Sequence, residues 1–296
     1  MAQLRPDHAE RMRRARLGLD GLSVGDAFGS RFFNAPDSSR SVPASPWAYS
    51  DDTEMAMAVV SNLDRFGCIE PDTLALDFAR RYRADPYRGY GLTVRRVLDD
   101  IAEGIPWSQA ARLVYSGLGS MGNGGAMRVA PIGAYFFDDD CAMVEEARKS
   151  AMTTHAHAEG QAGAIAVSVA SAWACRNAGR QRSGKAMLEF AAEHTPAGVT
   201  RDGIEHAIEL DFGLTIEASV EVLGNGSKIT APDTVPFALW CAARHIDDFA
   251  EALWSATLAE GDNDTNGAII GGIVALANGP NSIPGDWLEA REALPS

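Results

Sequence analysis

Two short stretches, far apart in the chain, each place surplus carboxylates at the start of an apolar helix, and together they constrain the fold more than any other feature. Gly261-Asp-Asn-Asp-Thr-Asn-Gly-Ala-Ile-Ile-Gly-Gly-Ile273 packs Asp262, Asp264 and Thr265 among amides, then turns small and apolar. It reads as a loop feeding a buried helix from about Thr265 to Ala277, with Asp or Thr as cap, because N–H groups and the helix dipole favour oxygen and negative charge there. One acid suffices for a cap, so the second needs another reason. Upstream, Tyr49-Ser-Asp-Asp-Thr-Glu-Met-Ala-Met-Ala-Val-Val60 repeats the construction, with Ser50, Asp51, Asp52 and Thr53 leading a helix to about Leu63. A capped helix plus a solvated acid explains either stretch alone. If the fold joins the two starts, four carboxylates face one another and some must protonate unless cations neutralise them. Two divalent cations would do so, and an oxygen-only ligand set favours Mg2+ or Mn2+ over Zn2+.

Two other metal readings compete. Asp262, Asp264, Asn266, Gly267 and Ile269 match positions 1, 3, 5, 6 and 8 of an EF-hand calcium loop, but Ile273 stands at position 12, where the bidentate Glu belongs. Thr153-Thr-His-Ala-His157 offers an H-x-H pair for zinc, with no further histidines in a telling spacing. A histidine that bonds a ligand hydroxyl or caps the following helix is the preferred reading, with His157 structural.

The chain has 296 residues, 46% of them hydrophobic, enough for one large core or two small ones. A net charge of −14 argues against binding along a nucleic-acid backbone, which requires basic side chains to release counterions. Cys68, Cys141, Cys175 and Cys241 are scattered and read as small buried residues, with no disulfide or zinc framework. The N-terminus lacks the apolar region of a secretory signal, and the longest apolar run, Gly160 to Cys175, suits a core helix better than a membrane span. A cytoplasmic protein without membrane association is expected, as a monomer or weak oligomer.

From His8 to Gly29 the pattern is helical, and Gly18, Gly21, Gly25 and Gly29 share one face. Each glycine inside a helix costs about 1 kcal/mol relative to alanine, so the stripe calls for close approach of another backbone. Asp26 within it reads as a structural anchor that must be paired or hydrogen-bonded. Phe32 to Trp47, rich in proline and serine, reads as a mobile surface loop. Helical patterns then follow from Ser50, at about Pro71 to Tyr82, Gly91 to Ala102 and Trp107 to Tyr115. They resume at about Cys141 to Met152, Ala158 to Ala178, Lys185 to His194, Arg201 to Asp211, Ile216 to Leu223, Val235 to Arg244 and Asp248 to Ala259. The turn from Arg83 to Tyr90 is polar and aromatic and could line a cleft, although a plain exposed connection is the preferred reading. Alternating strands are absent and no linker divides the chain, which predicts one all-α domain over residues 1–296.

Ser120-Met-Gly-Asn-Gly-Gly-Ala-Met-Arg-Val-Ala-Pro-Ile-Gly133 is a glycine-rich loop entering an apolar segment. Gly122, Gly124 and Gly125 allow N–H groups to point together at a phosphate or diphosphate, although the spacing is neither a P-loop nor a dinucleotide fingerprint. A packing turn remains the alternative.

Taken together, Gly25-Asp-Ala-Phe-Gly29, Ser50-Asp-Asp-Thr53, Gly122-Asn-Gly-Gly-Ala-Met-Arg128, Thr154-His155 and Asp262-Asn-Asp-Thr265 resemble, in order and spacing, the ADP-ribosylglycohydrolases. Val235-Pro-Phe-Ala-Leu-Trp240 is similar to that family's penultimate helix. The resemblance runs from about Arg16 to Asn278. It implies a compact orthogonal helical bundle with a metal cleft at converging helix N-termini, two Mg2+ or Mn2+ ions, and hydrolysis of the glycosidic bond joining ADP-ribose to a protein side chain or small molecule. It places Ser50, Asp51, Asp52, Asp262, Asp264 and Thr265 on metal-ligand positions. Ser120, Gly122, Asn123, Gly124, Gly125 and Met127 fall on the diphosphate-contacting loop, and His155 near the distal ribose. The form of the glycine loop looks closer to the branch acting on serine-linked or polymeric ADP-ribose than to the arginine branch.

Three positions depart from the family's pattern. Ser50 replaces the usual Thr and keeps its hydroxyl. Asn263 replaces a Thr. Phe33 stands where the family often carries a Glu that gates or assists the reaction, with Asn34 and Glu54 near in sequence. The expected mechanism has one of Asp51, Asp52 and Asp264 taking a proton from a cation-oriented water. An ADP-ribose-binding or lens-protein-like homologue without catalysis, and a hydrolase of another ribosyl nucleotide, are the competing readings.

Overall fold

The structure is a computed structural model that describes residues 4–33 and 40–295. Its helices are, in chain order, α1 (His8–Gly29), α2 (Asp51–Phe66), α3 (Pro71–Ala84), α4 (Leu92–Ala102) and α5 (Trp107–Leu113). There follow α6 (Ala130–Tyr135), α7 (Asp140–Met152), α8 (Ala158–Arg176), α9 (Gly184–His194) and α10 (Val199–Glu209). The last five are α11 (Ile216–Leu223), α12 (Ala231–Arg244), α13 (Phe249–Thr257), α14 (Asn263–Asn278) and α15 (Gly285–Ala290). Among the described residues there is no strand, only the isolated bridges Trp47–Arg291 and Gly122–Thr230, so the all-α expectation holds. No described helix is long and apolar enough to cross a membrane.

Helix ends follow from local chemistry. Ser50 caps α2 by accepting from Asp52 N, and Gly67 closes it in the left-handed conformation (φ 67°) that glycine adopts without strain. Pro71 starts α3, where its missing N–H costs nothing. His157 caps α8 through Nδ1, which accepts from Glu159 N, as its structural assignment requires.

The glycine stripe on α1 finds the backbone it calls for. A Cβ on Gly21 would land on Gly271 O, one on Gly25 on Gly267 O, and one on Gly29 on Asn263 O. Residue numbers rise along α1 as they fall along α14, so the two helices run antiparallel in backbone contact. This lock carries the C-terminal half of α1, with Asp26, to the N-terminus of α14, with Asp264. Gly267→Ala therefore forces the pair apart. A loss of about 1–3 kcal/mol in urea unfolding is expected for overpacking of this kind, and an unchanged midpoint would show that the crossing has slack.

A second cluster, of aromatic rings, packs α15 against α1. Trp287 of α15 stacks on Phe28 at 4.4 Å between centroids, and Trp47 and Trp254 pack edge-on around the same ring. Trp47 is buried and tied to the C-terminal segment, its N–H donating to Ala290 O (2.7 Å) and its carbonyl accepting from Glu292 N (2.8 Å). The far end of the expected mobile loop is thus pinned, while residues 34–39, with Asn34 and Pro36, lie outside the described residues. The cysteine expectation also needs correction. Cys241 is buried, Cys68 and Cys175 are partly exposed and Cys141 is exposed at the start of α7; all four are free.

Candidate metal centre and glycine-loop cleft

The α14 helix begins two residues earlier than its apolar pattern suggests, at Asn263, so Asp264 sits in the first turn. Asp262 occupies the cap position but makes no capping bond. Its Oδ2 instead accepts from Asn123 Nδ2 at 2.6 Å, so the cap expectation fails because the glycine loop captures the carboxylate. Behind it, Asn225 O accepts from Asp262 N (3.2 Å) and Asn266 Nδ2 (2.8 Å), fixing the path into the helix.

At the other start, Ser50 Oγ donates to Asp52 Oδ2 (2.9 Å), leaving Asp52 Oδ1 buried and without a partner. Asp51 N donates to Arg88 O (2.7 Å), and a Cβ on Gly89 would lie 3.2 Å from Asp51 Oδ1. The turn from Arg83 to Tyr90 therefore backs the first acidic start, with Tyr90 buried, which corrects the preferred reading of a plain connection in favour of its alternative.

Asp26 is the residue whose importance the sequence understates. It is the anchor it was expected to be, accepting from Ser50 N (2.9 Å), Thr53 N (3.1 Å) and Thr53 Oγ1 (2.5 Å). Its carboxylate also joins the acidic cluster. One oxygen from each of Asp26, Asp52 and Asp264 lies within 4.8 Å of the other two. The hints in the sequence are a charge on the glycine-lined, apolar stretch of α1 and the place of Gly25-Asp-Ala-Phe-Gly29 among the motifs that carry the resemblance. Of the four expected carboxylates, Asp52 and Asp264 enter this tight group. Asp51 and Asp262 surround it at the range where charges interact.

The electrostatics match that crowding. Burial, followed by the charges of Asp26 and Asp51, holds the Asp52 carboxyl well above the usual range. Burial and then Asp52, Asp262 and Asp26 do the same for Asp264. Burial and the Asp26 charge push Asp51 up to about 8, and burial pushes Asp26 up to about 6 against the opposing hydrogen bonds. The described residues place no Lys or Arg in hydrogen-bonding contact with any of the five. An oxygen-only cluster with a buried, unpartnered Asp52 Oδ1 fits a hard divalent cation, which supplies the missing positive charge. Glu54 is otherwise engaged, accepting from Tyr49 Oη (3.3 Å) and Arg81 NH1 (2.9 Å), so it is no free substitute for a carboxylate at Phe33. Phe33 itself is 48% exposed. Thr265 is buried, its N–H donating to Asp264 Oδ1 (2.8 Å).

The glycine loop adjoins this cluster through Asn123, whose amide donates to Thr234 Oγ1 (2.9 Å) as well as to Asp262. Ser120 Oγ accepts from Gly122 N (3.0 Å), folding the loop back on itself. His155 lies against it: a Cβ on Gly122 would approach Nε2 to 3.1 Å and one on Gly124 would approach Cε1 to 3.0 Å. Gly125 packs on Ala151 and Gly160, and Met127 is buried beneath the loop. The predicted site residues thus form two adjoining groups, an acidic one and a glycine-lined one, joined by Asn123.

A family sequence model described as ADP-ribosylglycohydrolase matches residues 7–294. The chain is 30% identical to the human protein named ADP-ribosylhydrolase ARH3, with 96% of this chain and 90% of that protein covered. It is 31% identical to the bovine protein of the same name, with 87% and 78% covered. Among solved structures, one titled ADP-ribosylglycohydrolase-related protein complex superposes with a TM-score of 0.68 at 27% identity, covering 96% of this chain and 94% of that one.

Proposed function

Because the chain belongs to the ADP-ribosylglycohydrolase family, we propose that it works as one domain that hydrolyses the glycosidic bond of ADP-ribose conjugates at the Asp26–Asp52–Asp264 cluster, with two divalent cations, Mg2+ or Mn2+. The observation that carries this reading is the convergence of α1, α2 and α14 on an unpaired, oxygen-only cluster beside a glycine loop. Ser50, Asp51, Asp52, Asp262, Asp264 and Thr265 are the proposed ligand set, and Asp26 is added to it by its place in the cluster.

When bound, the cations polarise oxygen and lower the pKa of coordinated water. The chain's own residues supply the rest. The glycine loop from Ser120 to Met127 holds the diphosphate and His155 the distal ribose, leaving the glycosidic carbon near the carboxylates. One of Asp51, Asp52 and Asp264 accepts the proton of the attacking water, and their charge favours an oxocarbenium-like transition state. Asp52 keeps Oδ1 uncommitted for such a role while Ser50 holds Oδ2. The glycine-loop sequence favours serine-linked or polymeric ADP-ribose over the arginine conjugate.

The test measures free ADP-ribose released from serine-linked, arginine-linked and polymeric substrates, with Mg2+, with Mn2+ and after exhaustive chelation. Cation-dependent release, higher for the serine-linked or polymeric substrate, is expected. Release that survives chelation would overturn the cation assignment. The exposed Phe33 favours one competing reading, an ADP-ribose-binding protein, and tight binding without release under any cation would establish it.

A further inference from the structure

Arg128 is fully buried, yet among the described residues it has no carboxylate partner. Its guanidinium stacks over Phe78 (4.4 Å) and donates to Ser150 O (2.6 Å) and Thr154 Oγ1 (3.0 Å). An isolated buried cation is costly to keep. The hydrogen bonds show how its charge is directed. Thr154 Oγ1 also lies 2.8 Å from His155 Nδ1, and His155 Nε2, which has no partner among the described residues, faces Gly122 and Gly124.

The donor and acceptor accounting, together with the Arg128 charge, favours one set of proton positions. Arginine only donates, so Thr154 Oγ1 accepts from it. The hydroxyl has one proton, and among the described contacts the acceptor in line for it is His155 Nδ1. The Arg128 charge behind the threonine oxygen favours that polarity and opposes an Nδ1–H dipole pointing toward it. We propose that Arg128, acting through Thr154, is a positioning residue that locks His155 in the neutral form with its proton on Nε2. His155 is then a fixed hydrogen-bond donor to an acceptor atom of a ligand on the glycine loop, and takes no part in proton transfer. Burial, followed by the Arg128 charge, pushes the imidazole down to about 3, consistent with a permanently neutral ring. The ligand half of this inference rests on the glycine loop's proposed role; the tautomer half does not.

The experiment is 15N NMR of histidine-labelled protein without ligand at neutral pH, with the His155 signals assigned by their loss in His155→Gln. Native protein should show Nε2 protonated and Nδ1 bare; a proton on Nδ1 overturns the relay. Thr154→Val removes the hydroxyl at nearly constant shape and should give a mixture of tautomers, while Thr154→Ser restores the single form. Unchanged signals in Thr154→Val also overturn the relay. Arg128→Met tests the cation in the same way. Should either substitution fail to fold, the native spectrum decides alone. ADP-ribose affinity should fall about three- to tenfold in Thr154→Val, the worth of one hydrogen bond, and recover in Thr154→Ser. Native protein with the stated tautomer but no ADP-ribose binding would sink the loop reading and leave the relay standing; normal binding with the opposite tautomer would do the reverse.

Discussion

Asp52→Asn is expected to lower turnover of ADP-ribose conjugates by about three orders of magnitude if, as proposed, it costs the site a cation that stabilises transition-state charge by several kcal/mol. The same substitution makes the cation-free protein harder to unfold. The two effects have one cause. Asp52 is buried, hemmed in by Asp26 and Asp51, with Oδ1 unpartnered and no Lys or Arg in contact. An asparagine keeps the shape and can still accept the Ser50 Oγ bond, but it removes a carboxyl that the cation-free fold can hold only by protonating it. Residues that only hold structure are destabilised when cut back, whereas residues that hold a ligand at the expense of stability behave oppositely. The measurement is a melting temperature for native and variant protein, each with chelator and with Mg2+, beside the release assay. A variant that melts higher in chelator, gains nothing from Mg2+ and has lost turnover carries the assignment. A variant that melts lower in chelator would mark Asp52 as structural, and one that keeps both Mg2+ response and turnover would remove it from the site.

That sign also shows what was readable in the sequence. The α1 glycines are spaced for close approach, and the spacing alone demanded a second backbone; that this backbone is α14 depends on Gly267 and Gly271, which read only as a small, apolar helix. The two acidic starts were visible because each carries more carboxylate than a cap can use. Asp26 was legible as an anchor but not as a third acid. Its membership follows from the antiparallel α1–α14 crossing, a tertiary fact with no local signal. Asn123 likewise reads as one polar residue in a glycine loop, and its capture of Asp262 depends on a contact across 139 positions. The short α6 and α15 escaped because six residues give too few turns for a periodic pattern. Boundaries of the long helices were legible within a few residues, since their caps and apolar faces are encoded locally.

Exhaustively chelated protein loses stability as pH rises from about 4 to about 8, and added Mg2+ stabilises it more at the upper end of that window than at the lower. The sign follows from Asp51 and Asp26. Unfolded, an aspartate titrates near 3.9. In the fold, burial and neighbouring charge push Asp51 up to about 8 and burial pushes Asp26 up to about 6. Between these values Asp51 and Asp26, with Asp52 and Asp264 displaced the same way, bind more protons in the fold than in the unfolded chain. They outweigh His155 and His245, whose lowered titration works in the opposite direction below about 6.5, so stability falls with increasing pH. The contribution is fully present below the unfolded value and is lost as pH climbs through the folded ones, the reverse of a salt-bridged carboxylate. Cations bind only the ionised carboxylates, so their hold strengthens as protons leave and the chelated and Mg2+-bound curves diverge. Melting temperatures taken from pH 5 to pH 8 in chelator and in Mg2+ check both slopes. A chelated curve that is flat or rising, or an Mg2+ increment no larger at pH 8 than at pH 5, would mean that these carboxylates are neutralised within the protein and do not await a cation.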